Sequence, residues 1–101
     1  ATCHNWALAP FTPRADHVAA LAKSWDAVLS QRPGLVLVSA GFDAYTGDPL
    51  TEMSLEPEDF ATLGKWLRDS GLPVAAILEG GYSAHLPELI DGFLCGWNGG
   101  E

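Results

Sequence analysis

Two short segments carry the residues best suited to chemistry. Residues 34–50 read GLVLVSAGFDAYTGDPL, and residues 74–82 read VAAILEGGY. Each is an apolar run that ends in a glycine-bearing turn with a reactive side chain on it, Asp43 in the first and Tyr82 in the second. In an open parallel sheet, ligands collect at the carboxyl ends of the strands. If these two strands are neighbours, a carboxylate and a phenol converge on one crevice. Gly41, two residues before Asp43, permits an unusual turn and close approach of another group. A carboxylate held there is a good oxygen ligand for zinc or another divalent metal. The alternative is an aspartate that caps its own loop through backbone hydrogen bonds. Tyr82 can donate a hydrogen bond to an oxygen that is gaining negative charge. It can equally serve as an aromatic anchor at a strand end.

Other residues near these turns fit supporting roles. Asp48 precedes Pro49 in a Thr-Gly-Asp-Pro turn, a position that usually shapes a loop rather than reacts. Tyr45 lines a pocket or packs within the loop, and the sequence does not choose. Glu79 can reach the same crevice or pair with a backbone group or cation behind it. The histidines His4, His17 and His85 form no compact zinc pattern, and Cys3-His4 has no partner spacing to complete a ligand set. Ser39 and Ser83 lie near strand ends without the nucleophile-elbow context of a serine hydrolase. The Gly80-Gly81 pair is not a GxGxxG phosphate loop.

The elements that must position these residues follow from periodicity. Thr12 is placed to cap a helix beginning at Pro13 and running to about Ser30, with Val18, Leu21, Ala22, Trp25, Val28 and Leu29 on one stripe. Pro33-Gly34 ends it. The run Leu35 to Ser39 does not alternate, as expected of a strand covered on both faces. Pro57 opens a second helix whose inner face is Phe60, Leu63 and Leu67, with Trp66 at the margin and Gly71 as the stop. Val74 to Leu78 reads as a second strand, and a third helix starts near Pro87 with Leu89, Ile90, Phe93 and Leu94 inward. Residues 1–12 read as irregular with a short strand at the start, and 98–101 as a frayed tail. Helix, strand, helix, strand, helix is parallel α/β logic. Two strands cannot make an independent, doubly covered sheet. The chain is therefore expected to be one piece of a larger sheet, completed by further residues of the same polypeptide or by another chain.

Composition narrows the partners. With 13 acidic and 5 basic residues in 101, the formal net charge is −8, which disfavours a phosphate-backbone ligand and suits a positively charged one such as a lysine side chain or a polyamine. No nucleic-acid partner is expected. No run approaches the roughly 18 apolar residues of a membrane span, and no signal-peptide pattern opens the chain. The two cysteines set no disulfide framework. A cytoplasmic location is expected, without membrane partners.

Taken together, the two loops resemble the zinc-dependent histone deacetylase superfamily, including bacterial deacetylase-like amidohydrolases and acetylpolyamine amidohydrolases. SAGFDAYTGDPL is similar to the family's SAGFDAHxxDPL block, and LEGGY to the block that carries its catalytic tyrosine. NWALAP resembles, less closely, an asparagine-containing N-x-PLPP loop, and LEPEDF a helix entry. The resemblance covers nearly the whole chain but only the carboxyl-terminal part of a family catalytic domain. It implies part of a parallel-sheet, arginase/deacetylase-like three-layer α/β fold. On this view residues 1–101 are an incomplete segment of that domain.

By the same resemblance Asp43 is a zinc ligand, and Tyr82 binds the substrate carbonyl and stabilises the oxyanion. Gly80 and Gly81 border the substrate pocket, and Asp48 with Gly41 shapes the loop. The remaining zinc ligands, an Asp-x-His segment, and a histidine pair lie upstream in the family and have no counterpart in this chain. Tyr45 stands where the family often has histidine, and Glu56 replaces a helix-entry threonine. The implied reaction is Zn(2+)-dependent hydrolysis of an acetamide on an acetylated lysine or polyamine, releasing acetate. The competing expectation is a non-catalytic remnant or interaction module with the same partial fold.

Overall fold

A computed structural model describes residues 3–99. Helix α1 spans Arg14–Ser30, strand β1 Val36–Ala40, helix α2 Pro57–Asp69, strand β2 Val74–Leu78 and helix α3 Leu86–Trp97. The element order is the one expected from periodicity, and the chain is an α/β unit in which a small parallel sheet is flanked by helices. This is consistent with the three-layer arginase/deacetylase-like architecture. No short strand forms among the described residues before α1. Residues 1, 2, 100 and 101, part of the expected irregular start and frayed tail, lie outside the described residues.

Strands β1 and β2 pair directly in parallel, with Val36 opposite Val74 and Ala40 opposite Leu78. The pairing continues past the strand ends: the Glu79 N–H donates to the Ala40 carbonyl at 2.9 Å, and the Phe42 N–H to the Gly80 carbonyl at 2.8 Å. Both strands therefore deliver their terminal turns at the same height. Between them runs α2, so the connection is the helical crossover that parallel neighbours require.

The core gathers Phe42, Leu55, Phe60, Leu67, Leu89 and Phe93. Phe42 comes from the turn after β1, Phe60 and Leu67 from α2, and Leu89 and Phe93 from α3. The Phe42 ring lies 5.2 Å from that of Phe60 and 5.7 Å edge-on from that of Phe93. Burial of these aromatic rings fixes the residue immediately before Asp43. Leu94, expected inward, is exposed because the stripe of α3 that meets the core is set by Leu89 and Phe93.

Helices α2 and α3 pack backbone to backbone. A methyl group on Gly64 would overlap the Phe93 carbonyl oxygen, and one on Gly96 the Ala61 carbonyl oxygen. Glycine in a helix interior is unfavourable by propensity. Here the missing side chains are what allow the approach.

Helix α1 packs Val18, Leu21 and Trp25 against the core and is tied by an ion pair at its first turn. The Arg14 guanidinium forks onto Asp59, with Nε to Oδ2 at 2.7 Å and Nη2 to Oδ1 at 3.0 Å. Asp59 also accepts the Glu56 N–H at 2.8 Å, tying down the start of α2. Burial alone would raise the Asp59 carboxyl. The hydrogen bonds from Arg14 and Glu56 and the Arg14 charge outweigh it and hold the pKa below the ordinary carboxylate value.

Two expectations for α1 fail. Thr12 gives its hydroxyl to the Ala9 carbonyl and caps nothing, so Pro13 stands at the N-cap without a side-chain bond. His17 is only 5% exposed, whereas Val28, expected on the buried stripe, is exposed. The reason is that α1 meets α2 where Arg14 and His17 face Asp59. Its later turns line an open apolar groove of about 580 Å³ with β1. The His17 Nδ1 is buried without a partner among the described residues. Burial lowers the imidazole pKa, opposed by the Asp59 charge.

Two outcomes follow from this packing. Gly96→Ala is expected to destabilise on the order of 2 kcal/mol, despite the gain in helix propensity, and urea unfolding midpoints measure it. The second concerns pH. A histidine whose folded pKa lies below its unfolded value contributes fully above 6.5, and that contribution is lost as pH falls. The Asp59 contribution is lost only below 3.8. Unfolding midpoints should therefore drop as pH falls below 6.5, and His17→Leu should remove that drop.

Candidate active site

The loop from Gly41 to Leu55 folds onto itself. The Thr46 N–H donates to the Leu55 carbonyl at 2.7 Å and the Leu55 N–H to the Ala44 carbonyl at 3.0 Å. Leu55 is buried in the core, so this ladder hangs the loop from the hydrophobic cluster. The Thr51 hydroxyl donates to the Asp43 carbonyl and fixes the backbone at that residue. Tyr45 packs within the loop: its ring fills the space beside Gly47 and meets the His85 ring edge-on at 6.0 Å. Glu79 is exposed, and its side chain makes no hydrogen bond among the described residues.

Asp43 and Tyr82 come together over Gly80. A methyl group at Gly80 would lie 3.0 Å from Asp43 Oδ2 and 3.3 Å from the Tyr82 hydroxyl. The same Asp43 carboxylate stands over Gly41, with Oδ1 3.2 Å from where a methyl group there would lie. Gly41 and Gly80 thus form a bare floor under the carboxylate. Among the described residues Asp43 accepts no hydrogen bond through its side chain, although it is half-buried. It does not cap its own loop. Tyr82 is 55% exposed and is not a buried aromatic anchor.

Asp48 does the structural work instead. It is 6% exposed. Its Oδ1 accepts the Leu50 N–H at 2.9 Å, and its Oδ2 accepts the Tyr82 N–H at 2.9 Å. One carboxylate joins the two loops. Gly81 precedes Tyr82 with φ 138°, a conformation essentially reserved for glycine. A methyl group there would also come within 2.7 Å of Leu86 Cδ1.

The apolar groove beside α1 is not this site, since neither Asp43 nor Tyr82 lines it. His4 and Cys3 are exposed. Among the described residues no three histidine, cysteine, aspartate or glutamate side chains gather as a metal cluster. A catalytic zinc generally takes three protein ligands. The chain can furnish one carboxylate of such a set, in the form of Asp43.

The small parallel sheet flanked by helices, which brings Asp43 and Tyr82 together, is consistent with an arginase/deacetylase-like architecture. The Histone deacetylase domain model matches residues 2–94, and the chain belongs to that family. It is 30% identical over 88 residues to the acetylpolyamine amidohydrolase of Mycoplana ramosa, covering 87% of this chain and 25% of that protein. A probable deacetylase of Methanothermobacter thermautotrophicus is 46% identical over 59 residues, 58% of this chain and 17% of that protein. The fold matches the crystal structure of an acetylpolyamine aminohydrolase from Burkholderia pseudomallei with a TM-score of 0.86 at 22% identity, covering 92% of this chain and 28% of that one. The chain thus spans under a third of the length of these relatives.

The two glycines of the tyrosine loop are expected to respond differently. Gly81→Ala should destabilise by about 1–3 kcal/mol through its backbone conformation. Gly80→Ala should change stability by under about 1 kcal/mol, because the methyl group meets only side-chain atoms, the Asp43 carboxyl and the Tyr82 hydroxyl. Urea midpoints of the two variants, measured side by side, check the contrast.

Proposed function

We propose that this chain supplies part of the catalytic centre of a zinc-dependent deacetylase acting on an acetylated lysine or acetylpolyamine. The observation that carries the reading is the meeting of Asp43 and Tyr82 over Gly80, with the Asp43 carboxylate free of hydrogen-bond donors among the described residues. In this reading Asp43 is a metal ligand, and the remaining ligands come from residues outside the chain, on the same polypeptide or a separate one. Zinc, when bound, polarises the acetamide carbonyl and acidifies the attacking water.

The chain's own residues do the rest of their share as follows. The Tyr82 hydroxyl donates to the carbonyl oxygen as it gains charge, which favours the transition state over bound substrate. Gly80 and Gly81, without side chains, leave room for the acetyl group beside the phenol. The products are acetate and a free amine, whose departure needs a proton from a general acid outside this chain. The net charge of −8 favours a cationic amine-bearing substrate. No described helix is long and apolar enough to cross a membrane, and the reading includes a cytoplasmic location.

The competing reading, an interaction module with the same partial fold, draws on the chain's supplying a single ligand. Metal analysis of the full-length protein separates the two. Asp43→Ala is expected to lower zinc content substantially. Tyr82→Phe should keep the metal and slow hydrolysis of an acetyl-lysine peptide or acetylputrescine by about 10²–10³-fold. A metal-free wild-type protein, or Tyr82→Phe with undiminished turnover, sinks the catalytic reading.

A further inference from the structure

We infer that Asp48 is a positioning residue for Tyr82, a carboxylate latch that sets where the phenol stands. The inference rests on the reading of Tyr82 as an oxyanion donor. Three observations carry it. First, Tyr82 follows two glycines, the second with φ 138°, so the chain leading to it has little stiffness of its own. Second, the 2.9 Å bond from the Tyr82 N–H to Asp48 Oδ2 is the one hydrogen bond that ties residues 81 and 82 to the rest of the described chain. The preceding anchor is the Gly80 carbonyl, and the next is the Ser83 carbonyl, which receives the Leu86 N–H. Third, the Asp48 carboxylate is itself fixed. It is buried, its Oδ1 is taken up by the Leu50 N–H, and its own N–H donates to the Tyr45 carbonyl at 3.0 Å.

A carboxylate is the group this joint requires. It offers an acceptor oxygen to each loop at once, and bonds to an ionised acceptor are the stronger kind. An asparagine of the same shape has one acceptor and one donor. It could keep one N–H but would turn an N–H of its own towards the other. Errors of an ångström in a catalytic group cost large factors in rate, so the latch acts on turnover through geometry. The same bond couples the Asp43 loop to the Tyr82 loop, since Asp43 and Asp48 share one self-bonded segment.

The test has two arms, both on the full-length protein. In the wild type, amide exchange at the Tyr82 N–H should be at least about tenfold slower than at the Gly81 N–H, which has no partner among the described residues. In Asp48→Asn the Tyr82 protection should fall by about the same factor. Equal exchange at the two amides in the wild type overturns the latch even if the variant fails to fold. The second arm is a double-mutant cycle on deacetylation. Asp48→Asn should lower kcat on the order of tenfold with KM and zinc content little changed. In the Tyr82→Phe background it should have under about twofold effect, because no hydroxyl remains to be misplaced. An equal loss in both backgrounds overturns the positioning role. If Tyr82→Phe matches the wild type, the proposed reaction fails, and the exchange arm alone then decides the latch.

Discussion

Everything in this molecule depends on the parallel pairing of two five-residue strands and its extension by two further hydrogen bonds. Because β1 and β2 are in register from Val36 and Val74 to Ala40 and Leu78, the chain leaves both strands at one level. The bonds from Glu79 to Ala40 and from Phe42 to Gly80 carry that register into the turns. A slip of one residue would turn side chains to the opposite face and part the carboxylate from the phenol. The meeting of Asp43 and Tyr82 is thus a consequence of backbone pairing.

The core reinforces the same point from beneath. Phe42 is packed between Phe60 of α2 and Phe93 of α3, and the next residue is Asp43. Leu55, at the far end of the loop, is buried in the same cluster. The loop therefore has both ends sunk in hydrophobic packing and its middle held by Asp48. Such a loop is placed by the interior of the fold rather than by its own flexibility. By contrast, the apolar side chains of Leu37, Ile77 and Leu78 remain exposed on the sheet, with Leu37 at 68%. This exposure accords with a unit that is shorter than its relatives.

Much of this was legible in the sequence because it rests on local signals. The non-alternating runs at 35–39 and 74–78 gave both strands to within a residue, and the Pro57 helix start was read correctly. The meeting of Asp43 and Tyr82 followed from treating those strands as neighbours. What escaped was tertiary. His17 lines the same groove as Leu21, Trp25 and Val28, and only the position of α2 and the Arg14–Asp59 fork reveals why it is buried. Asp48 could be read as a loop-shaping residue from Asp-Pro, but its bond to Tyr82 spans 34 positions and leaves no local trace. Thr12 had the right chemistry for a cap, but its hydroxyl donates to the Ala9 carbonyl and no helix N–H bonds to it.

The glycine seam between α2 and α3 has a mechanical consequence. Where two helices touch through side chains, rotamer changes can absorb a displacement. Where they touch through carbonyl and amide groups at Gly64 and Gly96, no such slack exists. Helix α3 begins four residues after Tyr82 and α2 begins two residues after Leu55, so one close-packed joint backs both the Asp43 loop and the Tyr82 loop. A push on the outer face of either helix would reach the sheet end undamped.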